Sequence, residues 1–289
     1  MKSTVYFTRT ITPDKVLEMY RMLGKELEGN IAIKLHSGEV GNQNFIGPEL
    51  WKPVIEAVGG TVVECNTAYE GERNTTEKHL KTLEKHGWTK AFKVDLLDAE
   101  GPDKALDIPD GTKLKKNYVG KNIDKYDSML VLSHFKGHPS GGYGGALKQL
   151  SIGMASSYGK ANIHGVGNPD AFWTSDHDSF LMAMADAAGS VVNHFKDKLA
   201  FVSVMMNMSV DCDCCANAED PCMKDIGILA SLDPIAIDQA CLDLVYASDD
   251  PGKNHLIQRI ESQNGILTVE TAAAIGYGTR EYELIECEL

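Results

Sequence analysis

Residues 133–165, SHFKGHPSGGYGGALKQLSIGMASSYGKANIHG, combine side chains suited to acid–base chemistry with a glycine-rich turn. His134, His138 and His164 are a third of the chain's nine histidines. Because histidine changes its charge near neutral pH, it can accept or donate a proton during a reaction. A helix predicted to begin near Gly144 would direct its backbone N–H groups and Lys148 toward an anion. The segment therefore predicts catalytic roles for His138, His134 and Lys148, and a small anion or anionic cofactor bound by Lys148 and by Gly141, Gly142, Gly144 and Gly145.

The glycine turn does not match either of two common nucleotide-binding motifs. In the phosphate-binding loop, four residues separate two glycines before a lysine, whereas the spacing from Gly153 to Gly159 is one residue longer. The dinucleotide fingerprint requires a small residue where Leu147 stands. Nucleotide binding through these two motifs is therefore excluded.

A second cluster with potential chemistry is the cysteine segment DCDCCANAEDPC, residues 211–222. Cys212 and Cys215 have the C-x-x-C spacing that can chelate zinc or iron, and Cys214 and Cys222 add further thiols. The second C-x-x-C of a zinc knuckle or a ferredoxin is absent from the sequence. The segment predicts either a metal site or a loop of reduced thiols, and both interpretations stay open.

Composition and charge restrict the class of partner. The formal net charge of −13 argues against a nucleic-acid or anionic-membrane surface, because such surfaces require a basic patch. The N-terminal residues contain no apolar segment of signal-peptide length, and no stretch approaches a membrane span. We therefore expect a cytoplasmic protein with reduced thiols, whose small anionic ligand meets a local basic pocket.

The elements that must position these residues alternate between strand and helix. Apolar runs at 30–36, 61–65, 127–134, 198–210 and 226–233 lead into polar or glycine-rich residues, and most are followed by helical patterns. This order predicts an α/β fold with a mostly parallel sheet and helices on both faces. We expect this fold to form a single domain over residues 1–289, or two closely packed lobes at 1–165 and 185–289. Ligands of such sheets bind beyond the carboxyl ends of the strands, where polar side chains from four runs would converge.

Several motifs, taken in order, resemble a known family. KLHSGEVGN, YEGER, SHFKGH, the glycine turn, DCDC and DIGILASLDPIAIDQACLDL are together similar to domain of unknown function 362. Many members of that family carry a ferredoxin-like insert with two 4Fe–4S clusters after the position of His164. Residues 166–196 of this chain contain no cysteine and predict an amphipathic helix, so these clusters are not expected.

A second similarity concerns residues 133–165 alone. The order His138, Lys148, His164 around the glycine turn resembles the nickel-pincer lactate racemases. That resemblance implies that Lys148 holds a pyridinium-derived cofactor covalently, that His164 is a metal ligand, and that His138 moves the substrate proton.

Two classes of function follow. The first is a metal- or cofactor-dependent enzyme that transfers a proton at a carbon beside a carboxylate or carbonyl, as racemases and isomerases do. In it, His36 and Arg73 orient the substrate or bind its anionic group. The second is an iron–sulfur or other metal-binding protein in electron transfer or cofactor assembly, with Cys212, Cys214, Cys215 and Cys222 as ligands. The sequence does not identify the cofactor: a divalent metal ion (nickel, zinc or iron) and an iron–sulfur cluster are the alternatives. A redox partner or self-association stays open, as does a non-catalytic role in partner binding.

Overall fold

A twisted eight-stranded sheet forms the centre of the computed structural model, which describes residues 2–288. Its strands are β1 (Ser3–Thr8), β2 (Ile31–Lys34), β3 (Thr61–Glu64), β4 (Val94–Leu96), β7 (Ser128–His134), β10 (Leu199–Met205), β11 (Gly227–Ser231) and β12 (Tyr282–Glu286). Their order across the sheet is β12-β1-β11-β10-β7-β2-β3-β4. Two small hairpin sheets lie outside it, formed by β5 (Lys104–Asp107) with β6 (Lys116–Val119) and by β8 (Lys136–His138) with β9 (Gly142–Gly144).

The sheet is mostly parallel, as the sequence predicts. Only β11 runs antiparallel to its neighbours β1 and β10, and the other adjacent strands of this sheet run parallel. The strands β10, β7, β2 and β3 are consecutive in the sheet and share one direction. Their carboxyl ends therefore meet at one edge, and these are the strands whose ends carry the predicted polar residues.

The helices cover both faces of the sheet, which confirms the predicted fold class. They are α1 (Pro13–Met22), α2 (Pro48–Val58), α3 (Thr76–Lys85), α4 (Trp88–Ala91), α5 (Ala146–Leu150), α6 (Ser157–His164), α7 (His177–Phe195), α8 (Pro234–Ala247), α9 (Lys253–Ser262) and α10 (Ile266–Ile275). Alternation along each strand sends side chains to opposite faces, so Ile33 packs with α1 and α2 whereas Ala32 packs with α5, α7 and α8. Each face thereby buries its own apolar layer.

Local sequence signals account for several helix boundaries. Asp233 accepts hydrogen bonds from the backbone N–H groups of Ile235 and Ala236, and Pro234 occupies the first turn, so α8 begins where the sequence places it. The predicted amphipathic helix after residue 166 is α7. Within residues 2–288, no helix is long and apolar enough to cross a membrane.

The helix predicted to begin near Gly144 is short in the structure, and a second helix follows it. The short helix α5 ends at Leu150, and α6 starts after Ser156, whose side chain accepts a hydrogen bond from the Gly159 N–H. His164 is the last residue of α6. The break between the two helices turns the chain back toward the carboxyl edge of the sheet.

Candidate active site

A cavity of about 260 Å³ lies at the carboxyl edge of the strands β10, β7, β2 and β3. Of the residues proposed from sequence, its lining contains His36, Arg73, His134, His138, Gly144, Gly145, Lys148, His164, Cys214 and Cys215. The structure thus brings His138, Lys148 and His164 to one cavity. Gly141, Gly142, Cys212 and Cys222 do not line it.

His138 is buried and presents one particular nitrogen for chemistry. Its Nδ1 accepts hydrogen bonds from the backbone N–H groups of Gly141, at 2.8 Å, and Ser140, at 3.1 Å. The neutral ring therefore carries its proton on Nε2. Burial, with the nearby charge of Lys148, lowers the pKa of His138 to about 4. Near neutral pH, His138 is an uncharged ring whose Nε2 lies 3.9 Å from Sγ of Cys214 and whose Nε2–H can donate a hydrogen bond.

Lys148 lies beside two thiols of the cysteine segment. Its Nζ is 3.3 Å from Sγ of Cys212, which is buried beneath the cavity. Burial alone would raise the pKa of Cys212, but a hydrogen bond from Cys214 and the charges of Lys148 and Lys136 lower it well below its ordinary value. These contacts favour the thiolate form of Cys212, next to the ammonium group of Lys148.

Three potential metal ligands converge at the same place. Ligand atoms of His138, Cys212 and Cys214 lie within 4.8 Å of one another and could hold one metal ion. Cys215 lines the cavity without belonging to this group. Cys222 lies elsewhere, where its thiol donates to the carbonyl of Met208 at 3.2 Å. The structure therefore gathers two of the four proposed cysteine ligands and adds a histidine.

His164 borders the cavity as part of an aromatic stack. Its ring lies between those of Phe172 and Phe180, with centroids 4.4 Å away in both cases. Burial, and then the charges of His138 and Lys148, lower the pKa of His164 to about 3. Its ring nitrogens make no hydrogen bond with any described residue, so a ring nitrogen is available to accept a proton or bind a ligand. It is not a member of the three-residue group that could hold a metal.

His134 is held by acceptors on both sides of its ring. Its Nδ1 is 2.9 Å from Oδ1 of Asp213, and its Nε2 is 2.7 Å from the carbonyl oxygen of Met206. Asp213 also forms a buried salt bridge with Lys136 at 2.6 Å. Since both ring nitrogens face acceptors, neither is left for a substrate proton. The geometry suits His134 to positioning Asp213 and Lys136, and its predicted catalytic role stays a prediction.

His36 and Arg73 are neighbours, as their joint proposal requires. Arg73 is buried, and it forms a salt bridge with Glu39 at 3.1 Å while its Nη1 lies 3.4 Å from Nε2 of His36. Burial, reinforced by the charge of Arg73, lowers the pKa of His36 well below its ordinary value. The pair adds one guanidinium group and one uncharged imidazole to the cavity wall.

The glycines of the turn serve close packing as well as access. A Cβ on Gly142 would lie 2.7 Å from Cα of Gly265, and Gly142 has a φ of +75°, which favours glycine. Gly144 and Gly145 line the cavity, whereas Gly141 and Gly142 do not. Only the second half of the turn, Gly144 and Gly145, can thus leave room for a ligand in the cavity.

Sequence reasoning missed three lysines that line the cavity. Lys34 forms a fully buried salt bridge with Glu64 at 2.8 Å, Lys136 binds Asp213, and buried Lys160 donates to the carbonyl of Ala155 at 2.6 Å. A signal was present for Lys34, because it stands in the apolar strand run NIAIKLH and lysine is rarely buried without a partner. The motif SHFKGH likewise contains Lys136 between the two histidines.

Comparison with known sequences decides the family. Residues 31–243 match the sequence profile described as Domain of unknown function (DUF362), which covers well over half of the chain. The chain belongs to the DUF362 family. The family predicted from the motifs is thereby confirmed. Every residue that lines the cavity falls inside the DUF362 match.

Two solved structures share part of this backbone path. The lactate racemase apoprotein from Thermoanaerobacterium thermosaccharolyticum aligns with 13% identity and a TM-score of 0.44, over 70% of this chain and 50% of that one. A protein from Thermotoga maritima aligns with 11% identity and a TM-score of 0.45, over 91% of this chain and 59% of that one. The chain thus spans little more than half the length of these structures. No functionally curated protein matches the sequence.

Proposed function

We propose that this protein is an enzyme that binds a small carboxylate in the cavity and transfers a proton at the carbon beside it. The observation that carries the proposal is that two lysines in the cavity wall have no carboxylate partner. Half-buried Lys148 and buried Lys160 line the cavity, and neither forms a salt bridge with a carboxylate of the described residues. An ammonium group has three N–H donors, and each of these uses one on a protein atom. The remaining donors suit an anionic ligand.

The size of the cavity favours a small ligand. Its volume of about 260 Å³ is below the roughly 300–1,000 Å³ of pockets that hold drug-sized molecules. The protein is otherwise acidic, with a formal charge of −13, so the ammonium groups of Lys148 and Lys160 would make the cavity a local site for anions. A cofactor of nucleotide size fits this volume less well than a simple organic acid.

His138 and His164 supply complementary groups for proton transfer. His138 would donate a hydrogen bond from its Nε2–H to an oxygen of the substrate, because its Nδ1 already accepts hydrogen bonds from the backbone. His164 has a ring nitrogen that no described residue engages, so it would accept the proton from carbon. Burial and neighbouring charges hold its pKa at about 3, and the negative charge of a bound carboxylate would raise it. Lys148 and Lys160 would hold the carboxylate and stabilise the charge that develops on it. In this assignment His138 is a neutral hydrogen-bond donor to the developing charge, and His164 is the base.

Isotope exchange tests this function directly. The protein is incubated in deuterated buffer with a panel of 2-hydroxy acids, and replacement of the proton on the carbon beside the carboxylate by deuterium is followed by proton NMR. Calorimetry measures binding of the same acids. We expect exchange for at least one acid, and we expect Lys148→Met and Lys160→Met to weaken binding at least tenfold.

Lys81→Met is the matched control, since Lys81 is an exposed lysine on the surface of α3. This variant should bind and exchange as the wild type does. If no small carboxylate binds to the wild-type protein, the proposal is wrong. If carboxylates bind without exchange, the anion site stands and the proton-transfer chemistry falls.

A metal centre is the second candidate function, favoured by the convergence of His138, Cys212 and Cys214. Two thiolates and one imidazole fit a soft ion such as zinc, nickel or iron. A four-cysteine cluster fits less well, because Cys222 lies away from this group and its thiol donates a hydrogen bond to the carbonyl of Met208. Binding through Nε2 of His138 would move the ring proton to Nδ1 and break its hydrogen bonds from Ser140 and Gly141. Metal analysis of protein isolated without oxygen tests this candidate: stoichiometric metal supports it, and metal-free protein contradicts it.

A further inference from the structure

The cavity has an aromatic side that the proposed chemistry does not use. Phe172 and Trp173 line it, in the segment between α6 and α7. The ring of Phe172 stacks on His164 at 4.4 Å, and Trp173 meets Phe172 edge to face at 4.4 Å. These contacts form a continuous series of rings from a proposed proton acceptor to the cavity mouth.

Trp173 stands out in this series because it is exposed. Its side chain is 76% accessible although it borders the cavity, so it must lie where the cavity opens to solvent. The other tryptophans, Trp51 and Trp88, are buried in the core at 2% and 0%. An exposed indole at the mouth of a site offers a planar, electron-rich face to a ligand.

We propose that the acid bound in this cavity carries an aromatic ring, which stacks on the indole of Trp173 while its carboxylate reaches the ammonium groups of Lys148 and Lys160. This inference rests on the proposed function and names its substrate class. The volume of about 260 Å³ is sufficient, since a cavity of about 150 Å³ holds a benzene molecule. Aromatic pairs prefer edge-to-face or offset geometry, which an open indole can provide to a ring entering from solvent.

Three acids separate the contribution of the ring from that of the charge. Acetate provides the carboxylate alone, cyclohexylacetate adds an apolar ring of similar size, and phenylacetate adds an aromatic ring. Calorimetry of the wild-type protein should give the tightest binding for phenylacetate, roughly threefold to tenfold tighter than cyclohexylacetate. Phenylacetate should also change the tryptophan fluorescence, since Trp173 is the exposed emitter.

Two variants assign the effect to the indole. Trp173→Ala should bind phenylacetate and cyclohexylacetate equally and leave acetate binding unchanged, whereas Trp173→Phe should keep most of the preference but lose the fluorescence change. Both variants should fold, because substitutions of exposed side chains alter stability little. Tyr246→Ala removes an exposed aromatic of α8 that does not line the cavity, and it should behave as the wild type.

The outcomes distinguish this inference from the function on which it rests. If acetate binds but phenylacetate binds no tighter than cyclohexylacetate, the aromatic substrate class is wrong and the anion site stands. The same conclusion follows if Trp173→Ala retains the full preference. If none of the three acids binds, the inference and the proposed function fail together.

Discussion

The carboxylate of Asp238 lies against Gly145 so closely that a Cβ at position 145 would be 2.4 Å from Oδ1. Asp238 is fully buried on α8 and accepts the N–H groups of Ala146, at 2.7 Å, and Leu147, at 2.9 Å. These residues open the helix α5, whose third residue is Lys148. A carboxylate from a distant part of the chain thus fixes the element that positions the proposed anion-binding lysine.

The first prediction concerns Gly145→Ala. The added methyl group would collide with Asp238, so either the carboxylate or α5 must shift. We expect the free energy of unfolding to fall by about 1–3 kcal/mol and carboxylate binding to weaken. Urea unfolding and calorimetry measure the two effects. Gly47→Ala is the control, because no heavy atom lies within 4 Å of its added Cβ. Unchanged stability and binding in Gly145→Ala would contradict the proposed role of this contact.

The second prediction concerns the buried salt bridge between Asp213 and Lys136. Asp213→Asn removes the carboxylate charge that contacts both Lys136 and His134, so the buried ammonium group of Lys136 loses its salt-bridge partner. We expect a loss of about 3–5 kcal/mol in the free energy of unfolding. The double variant Asp213→Asn with Lys136→Met should lose less than the sum of the two single losses, since neither charge is then isolated. Strictly additive losses in urea unfolding would show that the two groups do not interact.

The sequence predicts the parallel centre of the fold because the signals there are local. Apolar runs such as DSMLVLSH and KLAFVSV form strands buried on both faces, and Asp233 with Pro234 marks the start of α8. The sequence leaves the outer strands unassigned. The strand β12 carries exposed Leu284 and Ile285 beside glutamates, and it pairs with β1 from the other end of the chain. Such a pairing is set by tertiary contacts, which no local pattern reports.

The sequence predicted which residues share the site better than it predicted their hydrogen bonds and protonation. The spacing of His138, Lys148 and His164 around the turn was enough to propose a common site. It could not reveal that backbone donors occupy Nδ1 of His138, or that Asp213 and Met206 occupy both nitrogens of His134. Those contacts decide which nitrogen carries a proton. The donors to His138 come from the turn that follows it, whereas the partners of His134 come from a segment more than 70 residues away. Lys160 and Trp173 have no pattern of their own, and only the folded chain places them at the cavity.

The third prediction separates the cysteines of the 211–222 segment. If a metal binds, Cys212→Ser and Cys214→Ser should abolish the cobalt–thiolate absorbance of protein loaded with Co²⁺ without oxygen, because both thiols belong to the convergent group. Cys222→Ser should retain that absorbance, since the thiol of Cys222 donates a hydrogen bond to the carbonyl of Met208 and lies outside the group. Cys215→Ser should retain it as well. Loss of the absorbance in Cys222→Ser, with unchanged folding by circular dichroism, would place this cysteine among the ligands.

The fourth prediction is a loss of stability in mild acid that depends on His79. This residue is fully buried, its Nδ1 lies 3.2 Å from Oδ1 of Asn66, and its Nε2 has no hydrogen-bond partner among the described residues. Burial lowers the pKa of His79 to about 3 from an ordinary value of 6.5, with Glu64 opposing the shift. As the pH falls below 6.5, His79 therefore becomes protonated in the unfolded chain while it stays neutral in the folded chain. The contribution of neutral His79 to the free energy of unfolding is fully present above that pH and is lost as the pH decreases toward 3.

At pH 5 this linkage amounts to about 2 kcal/mol for His79 alone. His138 and His164 act in the same direction, because their pKa values are also lowered, whereas the pKa of Asp238, raised by burial to about 6, acts in the opposite one. Urea unfolding between pH 7.5 and 5 should show a decline that His79→Gln makes smaller by about 2 kcal/mol. His255→Gln alters an exposed histidine and should leave the decline unchanged. An equal decline in His79→Gln and the wild type would mean that this histidine already takes up its proton in the folded state.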